Sequence, residues 1–166
     1  MPAAYWVSVT VHLLAAVFWL GGMFFLGIVG APVLRAVEPE NLRQRLFQTL
    51  GARFRLVGWG TIAILIASGL LNMKYRGLLQ WNGVLAEPAF WGSTVGRALA
   101  GKLAAVVIMI VLSGVHDFIL GPAASRASAG SAIARRLRRR AAVLARVTAL
   151  VGVALVIAAV RLARGG

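Results

Sequence analysis

Four stretches of this chain are mostly apolar over lengths that few water-soluble folds tolerate: residues 5–30, 57–73, 95–120 and 141–160. A helix needs roughly 20 mostly apolar residues to cross the hydrocarbon of a bilayer. Inside that layer every backbone N–H and C=O must be satisfied within the protein, so only helices and closed barrels span it. The runs are continuous rather than alternating, which selects helices. The expected fold is an all-α integral membrane protein, a four-helix transmembrane bundle formed as one domain over residues 1–166. Composition agrees: 60% of the residues are apolar and 13% charged, against roughly 45–50% and 25% in soluble domains. No basic residue precedes the first run, and it is long for the apolar part of a signal peptide; it is expected to be a mature helix. Pro32 should stop the first run, and Pro122 lies just beyond the third.

The basic residues are unevenly placed. Arg35, Arg43, Arg45, Arg53 and Arg55 separate the first two runs, and Arg126, Arg135, Arg136, Arg138, Arg139 and Arg140 separate the last two. Lys74, Arg76, Arg97, Arg161 and Arg164 fall on the other side, so the bias is eleven against five. By the positive-inside rule both termini should face the periplasm of an inner, or plasma, membrane. The net charge of +14 is read as topology and contact with anionic lipid rather than nucleic-acid binding; an acidic partner docking on residues 135–140 is the sharper alternative. Leu42, Leu46, Leu50 and Phe54 recur every fourth position among polar residues, the pattern of an amphipathic helix on the cytoplasmic surface between spans one and two. Trp81, Phe90 and Trp91 in the outer loop resemble an interfacial aromatic belt. Residues 125–131 are rich in Ala, Ser and Gly and are expected to be a flexible connector. No internal repeat is visible in the sequence.

With no cysteine and only four acidic residues, thiolate chemistry, Cys-based zinc sites and paired-carboxylate hydrolysis drop out. Polar residues inside a membrane are costly and become functional candidates: here His12, Asn72, Lys102 and His116. Arg146 is near enough to one face to snorkel. At a rise of about 1.5 Å per residue, His12 and Lys102 lie at similar depth, about 10 Å from the outer face, and His116 lies about 21 Å beyond Lys102. His12 and His116 are therefore not expected to hold one metal ion. Helical spacing puts His12, Ala15, Trp19, Gly22 and Met23 on one stripe of span one. Thr61, Ser68 and Asn72 share a stripe of span two, and Lys102, Met109, Ser113 and His116 one of span three. Such stripes also serve close helix packing, the reading expected for Thr61, Ser68 and the glycine pair Gly21-Gly22.

The segment His12-Leu-Leu-Ala-Ala-Val-Phe-Trp19-Leu-Gly21-Gly22, followed by Pro32, resembles the first helix of the copper resistance protein D (CopD) membrane domain. Ser68-Gly69-Leu70-Leu71-Asn72 is similar to its second helix, and the run from Lys102 to His116 with Gly121-Pro122 to a later one. The same layout resembles the HemJ-type protoporphyrinogen oxidases, small membrane proteins that bind haem b. The first resemblance implies movement of copper across the inner membrane. The second implies a haem held by His12, with Lys102 or His116 as the matching later residues. Three functions follow as expectations. The first is a haem b protein in electron transfer or haem handling, a possible membrane oxidoreductase, with His12 and either Lys102, Met109 or water as axial ligands. Trp19, Gly22, Met23 and Asn72 would stand around its ring. The second is a copper transport or resistance protein, although Cu(I) prefers sulfur ligands and only Met23, Met73 and Met109 lie in or near the spans; His12, Lys102 and His116 are the candidate metal ligands. The third is a cofactor-free assembly subunit. A homo-oligomer or a membrane redox partner is compatible with each.

Overall fold

The computed structural model describes residues 2–80, 83–127 and 131–163. Trp81 of the expected aromatic belt, residues 128–130 of the expected connector, and Arg164 lie outside them. The chain divides into two compact units, residues 1–96 and 97–166. All regular structure in the described residues is helical, and four helical stretches are long and apolar enough to cross a membrane: Ala3–Arg35, Glu40–Tyr75, Thr94–Arg126 and Ala132–Val160. The chain is a multi-pass all-α membrane protein. Its large exposed apolar side chains, Phe18, Ile28, Leu56 and Leu150 among them, are what lipid-facing helices present.

In the first unit, α1 (Ala3–Phe25) runs through a π-helical turn (Leu26–Gly30) into α2 (Ala31–Arg35), and α3 (Glu40–Tyr75) returns antiparallel along it. The helix therefore continues past Pro32 rather than stopping there. Proline has no N–H and its ring collides with the carbonyl four residues back. The π turn resolves both conflicts by adding one residue per turn: Ala31 N–H donates to Leu26 O, five residues back, so the chain reaches Pro32 with the clash displaced. The expected surface helix around residues 39–54 is likewise not separate. It is the first part of α3, a single helix of 36 residues, because nothing between Phe54 and Val57 breaks a helix. Phe54 turns inward and its ring lies against Gly22, where an added Cβ would come within 2.9 Å. At its other end α3 stops at Gly77, whose φ of 73° suits the left-handed position after a helix. Gly77 N–H donates to Lys74 O at 2.9 Å and Leu78 N–H to Met73 O at 3.0 Å, the paired bonds that cap a C-terminus. A 3-10 turn (Val84–Ala86) and the short α4 (Pro88–Gly92) follow. Gly96 passes so close to the Phe90 carbonyl that no Cβ fits there.

In the second unit, α5 (Thr94–Gly114, entering from the last residues of the first) continues through a second π turn (Val115–Leu120) into α6 (Gly121–Arg126). The long α7 (Ala132–Ala163) then packs against α6 and the π turn. Again the helix passes its proline: Gly121 N–H donates to His116 O, five residues back, ahead of Pro122. The expected boundaries near 120 and 141 thus move outward, and the arginine run 135–140 forms the first turns of α7.

The two units share a plan. Pro32 and Pro122 each follow a π turn within a stretch of 33 residues, Ala3–Arg35 and Thr94–Arg126. His12 precedes Pro32 by 20 residues and Lys102 precedes Pro122 by the same 20. Trp19 and Met109, each 13 residues ahead of its proline, are both buried. Residue identities show no repeat, yet the two stretches share these spacings.

Candidate functional site

The seam between α1 and α3 is polar where two lipid-exposed helices have least reason to be. Tyr5 and Ser8 on α1 are buried, as are Thr61 and Ser68 on α3. These are the positions that α1 and α3 turn toward one another, spaced three apart on α1 and seven apart on α3 so that each pair shares a face. Ser8 Oγ donates to the Ser68 carbonyl at 3.3 Å. At the mouth of the seam Arg76 Nε donates to Tyr5 Oη at 3.3 Å, and the Tyr5 ring meets Tyr75 edge-on with centroids 6.1 Å apart.

His12 stands at the centre of this seam. Its Nδ1 lies 2.8 Å from Ser68 Oγ, and its Cε1 passes Gly69 so closely that a Cβ there would stand 3.4 Å away. The tautomer follows from proton counting. Ser68 has one hydroxyl proton, and the oxygen sits 2.6 Å from the Ile64 carbonyl, which can only accept. Ser68 therefore donates to Ile64 and accepts from His12, so Nδ1 carries the proton and the imidazole lone pair is on Nε2. A ring fixed through Nδ1–H with its lone pair on Nε2 is the form in which histidine binds metals. One turn further along α3, the side-chain oxygen of Asn72 is buried without a hydrogen-bond partner. Buried polar atoms of this kind are uncommon and call for an explanation.

The other expected residues divide between the units. Trp19 is buried, with its Nε1 facing Gly58 at 4.0 Å from an added Cβ. Gly22 admits the Phe54 ring, the packing role expected of the glycine pair, and Met23 is half-buried on the same helix. Met23 is eleven residues from His12, about 16 Å along the helix, so one ion cannot touch both. In the second unit Lys102 is half-buried, and Met109 and Ser113 are buried on α5. His116 lies in the π turn, with Nδ1 2.9 Å from Asp117 Oδ1; when this nitrogen donates to the carboxylate, the lone pair is again on Nε2. Lys102 and His116 sit on one unbroken helical path, 14 residues apart, so the estimated separation of about 21 Å stands. Among the described residues no three His, Asp or Glu side chains converge as a metal site. Ser68 was legible only as a packing residue and Ser8 was not singled out; the three- and four-residue spacing of Tyr5, Ser8 and His12 was the signal of a polar seam.

Comparison with known proteins bears on this geometry. A family model, copper resistance protein D, matches residues 48–162. That span contains Asn72, Lys102, Met109 and His116 and begins after His12, Trp19, Gly22 and Met23. The chain is 33% identical over 123 residues to a copper resistance protein D of Pseudomonas syringae pv. tomato, covering 72% of this chain and 37% of that protein. It is 40% identical over 62 residues to an uncharacterized protein of Aquifex aeolicus (strain VF5), covering 37% of this chain and 42% of the relative. The chain thus spans less than half the length of either relative. No solved structure matches it significantly.

Proposed function

Because the chain belongs to the copper resistance protein D family, we propose that it handles copper in the membrane, taking the ion as cargo rather than keeping it as a resident cofactor. The observation that carries the proposal is the imidazole of His12, held through Nδ1 by Ser68 at 2.8 Å within a lipid-spanning hairpin. Imidazole suits copper. A single well-oriented ligand, with the Asn72 oxygen one turn along α3 from Ser68, binds weakly enough to release what it takes up. The sulfur ligands that would trap Cu(I) are scarce, since the chain has no cysteine and four methionines. His116, oriented by Asp117, offers a second imidazole in the other unit. In this reading the protein lies in the inner, or plasma, membrane with its termini on the periplasmic side.

The test is copper uptake by vesicles holding the purified protein. His12→Ala should lower uptake about tenfold, the lower end of what disturbing a ligand shell costs, while His116→Ala reports whether the second unit takes part. Uptake by His12→Ala equal to that of the unaltered protein would overturn the assignment. The same geometry of His12 also favours axial ligation of haem b, the second reading. A visible spectrum separates the two: a Soret band lost in His12→Ala supports haem, and a colourless protein that moves copper excludes it.

A further inference from the structure

Beyond the copper reading, and independent of it, the second unit contains a groove of about 390 Å³ between its π turn and α7. Its floor is apolar, made by Val115 and Leu120 of the π turn and Val143 and Leu144 of α7, and its rim is Arg136, Arg139 and Arg140. These three arginines and the two apolar residues of α7 fall at helical spacing on one face. Arg135 and Arg138 do not line the groove. The π turn matters here, because its extra residue widens the helix where Val115 and Leu120 meet α7.

We propose that this groove is a binding site for an anionic phospholipid, the phosphate held by Arg136, Arg139 and Arg140 and the upper acyl chain lying on Val115, Leu120, Val143 and Leu144. Charge carries the first half of the argument. Residues 97–166 contain eleven basic side chains and one carboxylate, Asp117, and that carboxylate sits against His116 at 2.9 Å. The unit cannot neutralise the exposed rim from its own acids. Guanidinium groups bind phosphate oxygens through paired N–H donors. Position carries the second half. The three arginines lie in the first turns of α7, where its polar start gives way to the apolar stretch that crosses the membrane. That is the level of headgroups, where each basic residue favours anionic lipid. An acidic protein segment would satisfy the rim and leave the apolar floor uncovered; a phospholipid matches both.

Native mass spectrometry of the detergent-purified full chain tests this, with phosphatidylglycerol and phosphatidylcholine offered at equal concentration. The unaltered protein should retain phosphatidylglycerol, and Arg136→Gln/Arg139→Gln/Arg140→Gln should bind it at least about tenfold more weakly. Arg135→Gln/Arg138→Gln, which removes charge outside the groove, should retain it. Should the triple variant fail to fold, the unaltered protein still decides: its melting temperature should rise with phosphatidylglycerol and be unmoved by phosphatidylcholine or by inorganic phosphate. Equal retention of both lipids, an equal loss in the two variants, or a full shift from inorganic phosphate alone would each overturn the proposal.

Discussion

The hydroxyl of Ser68 does two jobs with one proton, and this makes it the most testable residue of the seam. It donates to Ile64 O within its own helix and accepts from His12 Nδ1 across the interface. Ser68→Ala removes the acceptor and lets the imidazole turn. Hydrogen bonds between membrane helices average about 0.6 kcal/mol and reach about 1.7, so the loss in stability should be about 1 kcal/mol by unfolding in mixed micelles. Copper uptake should fall more than so small a loss explains, because the ligand is no longer aimed. If uptake and stability fall only in proportion, Ser68 is a packing residue. Asn72 gives the opposite signature. Its oxygen is buried without a partner, a state that costs about 1–3 kcal/mol. Asn72→Leu should therefore stabilise the chain by about 1 kcal/mol while lowering copper uptake; higher stability with unchanged uptake would remove Asn72 from the site. His12 and Asn72 stood out in the sequence because each is a polar residue in an apolar run. Ser68 did not, since a small residue on a helix face looks the same whether it packs or positions.

Long helices in this chain run on through their prolines rather than ending at them. The sequence rule that proline closes a helix failed at both Pro32 and Pro122 for one reason. A π turn lies just ahead of each, and its five-residue bonds, Ala31 to Leu26 and Gly121 to His116, absorb the missing donor. Nothing in residue identity announces a π turn, because the widened ladder is a response of the backbone to steric conflict. Pro32→Ala and Pro122→Ala should let residues 26–31 and 115–121 return to α-helical bonding. Amide exchange in those segments should slow, and an unchanged exchange rate would show that the π turns are set by tertiary packing instead. The apolar runs themselves were readable, since a span is a matter of length and hydropathy. Their ends were not: α3 absorbs the polar segment ahead of Val57 because Phe54 finds a place against Gly22, a contact between residues 32 positions apart. Gly22→Ala should push that ring aside and cost about 1–3 kcal/mol, measured by the same micelle unfolding.

At the scale of the whole chain, the 36 residues of α3 extend about 54 Å, well beyond a hydrocarbon core of about 30 Å. Its apolar stretch must then sit nearer one end, leaving the arginine-bearing part, with Arg43, Arg45, Arg53 and Arg55, outside the hydrocarbon. The turn segments of both units carry the same charge: five arginines lie between residues 35 and 55 and six between 126 and 140. By the positive-inside rule each of the two basic turns should lie on the cytoplasmic side. The opposite loop, with Lys74, Arg76 and Arg97, and both termini should be periplasmic. The cysteine-free sequence makes the measurement direct, since single-cysteine variants carry no background. Arg43→Cys should react with a membrane-impermeant maleimide only after the cells are opened, and Gln80→Cys should react in intact spheroplasts. Reversed labelling of the two would turn the molecule over and move the arginine-rimmed groove to the periplasmic leaflet. Labelling of both from outside would mean that α3 does not cross the membrane, although its length and hydropathy allow it to. With the expected orientation, His12 in the first unit should be reached from the periplasmic end of α1, nine residues beyond its first residue. His116, in the π turn of the second unit, stands near the cytoplasmic end of its helix. In that orientation His12→Ala should weaken uptake at low copper concentration, whereas His116→Ala should slow release into the vesicle interior.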